Sequence, residues 1–94
     1  MNTAPHTKTT IKVRYMKHQE DHVVTVKVES TVAGNAARGY YGLATTTSGM
    51  KGENVTVESD CFSFPEAAER DAQTKAALAY VRFAFRVESP EIVH

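Results

Sequence analysis

Tryptophan is absent from this chain, cysteine occurs once and proline three times, and the eleven basic and eleven acidic residues leave no net charge. Each shortage narrows the class of protein. One cysteine, Cys61, cannot close an internal disulfide, so a disulfide-stapled secreted scaffold is excluded and a reducing, cytoplasmic setting is expected. The charge balance argues against attraction of the whole chain to nucleic acid or to an anionic membrane. No apolar run has the length of a membrane-spanning helix. The first residues, MNTAPHTKTT, lack the apolar core of a secretory signal, so the sequon Asn54-Val55-Thr56 is expected to be unused.

Catalytic patterns are missing as well. There is no nucleophile elbow, and Gly49-Met50-Lys51-Gly52 is too short for a phosphate-binding loop. His18 and His22 stand four apart, a spacing that binds metal on a helix, but they fall in an expected turn and offer only two imidazoles. Cys61 has acidic neighbours, Glu58 and Asp60, which argue against a nucleophile, so a buried structural cysteine is expected. These readings point to a chain that is not an enzyme and takes no metal or cofactor.

What is present is one well-marked helix preceded by short strands. Ser63 and Glu66 have the S-x-x-E spacing of a capping box, with Pro65 in the first turn. Glu66, Glu69 and Asp71 lie near the helix start, and Arg82 and Arg86 near its end, each suited to the helix dipole. Ala68, Ala72, Ala76, Ala79, Phe83 and Val87 recur at steps of three or four and predict one buried stripe. The helix is expected to reach about Arg86. Alternation through Val81, Phe83, Phe85 and Val87 keeps a shorter helix followed by a last strand as the alternative.

Before the helix, alternation predicts strands over Thr9–Met16, His22–Val32, Gly39–Thr47 and Asn54–Ser59. Ile11, Val13 and Tyr15 share one face of the first strand, and Val24, Val26 and Val28 one face of the second. Gly42 and Gly39 mark a bulge or a close backbone approach in the third. The expected fold is α+β: a three- to four-stranded antiparallel meander packed against one long helix. The 94 residues are read as a single domain, with 1–8 and 89–94 as loose tails.

Charge is unevenly spread. Lys8, Lys12, Arg14 and Lys17 make the first strand basic, and beside Lys27, Tyr40 and Tyr41 they suggest a cationic face able to hold single-stranded nucleic acid. Lysines that protect a sheet edge explain the same pattern. Acids concentrate at Glu53, Glu58, Asp60, Glu66, Glu69 and Asp71. The apolar surplus around Leu78, Val81 and Phe85 is expected to form a homodimer or partner surface.

The length, charge balance, compact meander and single capped helix resemble the small phage-encoded inhibitors of bacterial defence, the anti-CRISPR proteins. That resemblance implies non-enzymatic docking onto a nuclease or surveillance complex, blocking its nucleic-acid or partner site. The partner-binding residues expected on this reading are Glu53, Glu58, Asp60, Glu66, Glu69, Asn35, Arg38, Met50 and Lys51. The alternatives are a nucleic-acid-binding or regulatory module using Lys12, Arg14, Lys27 and Tyr40, and a small oligomerising structural protein.

Overall fold

Period-two alternation in the first half of the chain becomes an antiparallel sheet, and the alanine-rich segment that follows becomes the helix lying on it. The structure is a computed structural model, and it describes residues 6–49 and 53–94. The elements are β1 (Thr7–Lys17), β2 (Glu20–Asn35), β3 (Gly39–Thr46), β4 (Thr56–Glu58), α1 (Pro65–Phe85) and β5 (Glu91–Ile92). Among the described residues the sheet has five strands in the order β4-β3-β2-β1-β5, every pairing antiparallel. The expected α+β meander on one long helix is therefore the architecture. Its last strand falls at Glu91–Ile92, beyond Pro90 and within the segment read as a tail, rather than at 81–88.

Register sets one apolar face. Ile11 lies opposite Val26, Val13 lies between Val24 and Ile92, and Ala44 lies between Ser30 and Val57. Val13, Val26, Val28, Ala44 and Val81 have at most 1% of their surface exposed and form the centre of the core. At one end of the sheet Tyr15 is stacked between His22 and Phe85, with ring centroids 5.0 and 4.9 Å apart. Small residues let helix and sheet meet closely. A Cβ on Gly42 would lie 2.4 Å from the carbonyl oxygen of Ala68, so the helix backbone rests directly on β3 there. Ala68, Ala72 and Ala76 are fully buried along the same contact.

The helix departs from expectation at two points, its cap and its buried stripe, and ends where expected. Its N-cap is Phe64, in extended conformation and without a side-chain cap hydrogen bond, so the capping box on Ser63 does not form. The reason is Pro65, which excludes the residue before it from the helical region and leaves Ser63 one position too early. The buried stripe runs through Ala72, Ala76, Ala77, Tyr80 and Val81, whereas Ala79 is half-buried and Phe83 is 62% exposed. Steps of four in a helix of 3.6 residues per turn advance the face steadily, so the stripe winds as the helix crosses the sheet. Arg86, left-handed at φ 55° and ψ 51°, ends the helix, and the Lys17 ammonium donates to the Phe85 carbonyl at 2.9 Å.

Val81 is fully buried, and Leu78 and Phe85 pack against the core, so these three do not make the exposed patch expected of them. No helix among the described residues is long and apolar enough to cross a membrane.

Candidate docking surface

α1 covers one face of the sheet and leaves the other open. On that outer face Thr31 of β2 lies opposite Leu43 of β3, which in turn faces Glu58 of β4, while Ala33 lies opposite Tyr41. Tyr41, Leu43, Val23 and Met16 are 42%, 47%, 51% and 59% exposed, and all four point outward. β3 explains why two of them are there. Its small residues Gly42 and Ala44 are needed on the inner side against the alanines of α1, so its larger Tyr41 and Leu43 face solvent. Sequence reading did not single out Leu43. The usable signal was the match between Gly42–Ala44 and the alanine stripe.

A bulge shapes one end of this face. Ser59 N–H donates to Gly42 C=O, and Tyr40 and Phe62 exchange main-chain hydrogen bonds at 2.7 and 2.9 Å. Two residues, Asp60 and Cys61, therefore stand opposite Tyr41, the arrangement of a β-bulge that redirects neighbouring side chains. Asp60 reaches the Lys75 ammonium at 3.0 Å, while Cys61 approaches Arg38, its thiol donating to that carbonyl at 3.6 Å. Cys61 is exposed, not buried as expected, because the bulge carries it past the edge that the helix covers. The Tyr41 phenol is held above its ordinary pKa, first by its hydrogen bond with Cys61, then by the charge of Cys61, with burial and Glu58 acting in the same sense.

The adjoining turn is pinned by Asn35, whose Oδ1 accepts from Ala37 N–H at 3.0 Å and Arg38 N–H at 2.9 Å. Asn35, Arg38 and Glu58 thus belong to the same end of the molecule as Tyr41 and Leu43. Of the remaining acids, Asp60 stands at this end in the bulge but is held by Lys75, and the others lie apart. Glu69 turns inward and accepts from Ser30 Oγ at 2.9 Å, and Ser30 also accepts from Gln73 Nε2. Asp60 and Asp71 share Lys75, whose pKa is raised chiefly by Asp71. Glu66 is exposed in the first helical turn, and Glu53 precedes β4 as a half-buried, engaged residue. Met50 and Lys51 lie outside the described residues.

The basic strip is equally divided. Lys12, Arg14 and Lys27 do share the outer face, but Tyr40 lies on the other one, paired with Gly34 and half-buried. Among the described residues the outward-facing positions of the strands carry four cations, Lys8, Lys12, Arg14 and Lys27, and four anions, Asp21, Glu29, Glu58 and Glu91. Lys8 pairs with Glu29 at 3.8 Å and Arg14 with Asp21 at 3.4 Å. Such exposed pairs add at most about 1 kcal/mol each. Their consequence is local: each neutralises a cation that a phosphate would otherwise meet.

His18 and His22 separate, His18 into the turn and His22 onto Tyr15, and the described residues contain no group of three or more His, Cys, Asp or Glu placed to hold a metal ion. What the open face offers is contact area with alternating charge around exposed apolar side chains. Compared with known proteins, the chain matches no family model, no curated protein and no solved structure.

Proposed function

We propose that this protein is a small non-enzymatic binding module that docks a protein partner on the open face of its sheet. The phage-encoded inhibitors it resembles would act in this way, by occupying a site on a defence complex. The observation that carries the reading is the outer face itself, where Tyr41, Leu43 and Val23 are exposed among charges that cancel. Apolar and aromatic anchors within a mixed polar rim suit a protein surface. A nucleic-acid face would need unopposed cations, and here acids interleave with them.

The test is capture from a bacterial lysate on the immobilised protein, with nuclease-treated and untreated halves in parallel. One stoichiometric partner in both halves, lost on Leu43→Glu and Tyr41→Ala but kept on Lys12→Glu, is the expected result. Leu43 and Tyr41 are exposed, so neither variant should lower the melting temperature appreciably. Loss of capture after nuclease treatment, or on Lys12→Glu, turns the assignment to nucleic acid. A partner retained by Leu43→Glu and Tyr41→Ala removes this face from consideration, and self-association alone leaves the structural reading.

A further inference from the structure

On the helix side of the sheet, away from the face just described, a cleft of about 570 Å³ lies between the edge of β1 and the flank of α1. Ile11 and Ile92 supply its apolar floor, Arg70 is its cationic side chain and His94 also lines it, while the Lys12 side chain stands on the outer side of the same edge. Neither cation has an ion-pair partner among the described residues. Glu69, next to Arg70 in sequence, accepts from Ser30, whereas Glu66 and Asp71 line the pocket on the other flank of Arg70.

The edge above this cleft is unfinished. β5 covers β1 only at Val13 and Arg14, with Val93 N–H donating to Lys12 C=O at 2.9 Å. Lys12 therefore directs its main-chain groups toward β5. Because these groups alternate along a strand, Lys8 and Thr10 present theirs to the same side. Lys27, opposite Thr10, accepts from Thr47 N–H and so turns its own carbonyl toward β3, in agreement with this parity. On that side no described strand pairs with β1 at Lys8 or Thr10; their partners in β2, Glu29 and Lys27, lie on the other.

We propose that this edge binds an extended acidic peptide of a protein partner, which adds to β1 in line with β5. Main-chain groups of Lys8 and Thr10 would form the ladder, as in other strand-addition complexes. Acidic side chains on the outer side of the added strand meet Lys12 and compete with Glu29 for Lys8. Inward side chains of the added strand meet Arg70 where acidic and rest on Ile11 and Ile92 where apolar. A second copy of this chain is a poorer occupant. Antiparallel pairing of two such edges sets lysines of like charge against one another, which is unfavourable.

Nuclear magnetic resonance titration of the full chain with a short peptide of repeated Glu-Glu-Val, which puts glutamate on both sides of a strand, tests the proposal. The matching lysine–valine peptide serves as control. Saturable shifts are expected at the Lys8, Thr10 and Lys12 amides, with slowed hydrogen exchange at Lys8 and Thr10. Arg70→Glu should weaken binding about tenfold. Thr10→Pro should abolish it, since proline removes the edge donor while leaving the pairing with β2 intact. Leu43→Glu should leave it unchanged, so this site can fail or stand independently of the outer face. Equal binding of the lysine peptide, shifts centred on Leu43 and Thr45, indifference to Arg70→Glu, or no saturable shift up to about 1 mM peptide would each overturn it. So would peptide-independent broadening at Lys8 and Thr10, which marks pairing between copies.

Discussion

Tyr41 and Cys61 meet because a bulge sets two residues opposite one at the end of β3. Their contact has a measurable consequence. A phenol whose pKa is raised in the folded state holds its proton more tightly there. The contribution to stability is present below the ordinary tyrosine value and fades as pH rises through the raised one. A tyrosinate absorbance titration, with Tyr41→Phe subtracted to isolate the group, should place its midpoint above the ordinary value. Cys61→Ala should move it back down. An unchanged midpoint in that variant would mean that the thiol does not govern the phenol. The acidic neighbours of Cys61 were visible in the sequence, but its exposure was not, because exposure depends on the bulge and so on where β4 stops pairing.

Both ends of the elements carry local imperfections that substitutions can repair. Phe64 occupies the N-cap of α1 with 69% of its surface exposed and no cap hydrogen bond. Phe64→Asp supplies an acceptor for the first helical amides and a charge suited to the dipole, and should add about 1 kcal/mol. Denaturant unfolding reads this as a higher midpoint at unchanged slope. The β1–β2 turn holds His18 and Gln19 at φ 53° and 65°, a two-residue loop between the paired Lys17 and Glu20. Side chains in left-handed conformation cost roughly 1 kcal/mol or more each. His18→Asn with Gln19→Gly, the preferred pair for such a turn, should raise the midpoint likewise. A fall would show that these side chains do more than join two strands. The turn itself was legible from the polar run after β1, whereas its left-handed geometry followed only from the pairing of Lys17 with Glu20.

At the scale of the whole molecule one sheet separates a packed layer from an open one, and neighbouring valines of β2 report the difference. Val26 is fully buried and Val23 is 51% exposed. Val26→Ala should cost roughly 2 kcal/mol, while Val23→Ala should stay within about 0.5 kcal/mol. Similar losses at both sites would mean that the outer face is covered in solution. The same layering explains the fate of the expected site. Asn35, Arg38 and Glu58 cluster at one end with Tyr41 and Leu43, but Glu69 and Val81 belong to the helix–sheet contact and Asp60 to an ion pair with Lys75.

Local chemistry was enough to specify the strands, their apolar faces and the existence of the helix. Alternation of Ile11, Val13 and Tyr15, and of Val24, Val26 and Val28, has one solution when a single face is buried. Gly42 and the early alanines of α1 likewise announced a close approach, since only small side chains permit it. Proximity across the fold decided the rest. Glu91–Ile92 became a strand because the helix returns the chain to the free edge of β1. Tyr40 and Tyr41 parted to opposite faces through the register of β3, and acids adjacent in sequence were distributed to Ser30, Lys75 and solvent. Sequence patterns report which face a residue prefers, but partners on that face come from elements distant in the chain, and only packing brings those together.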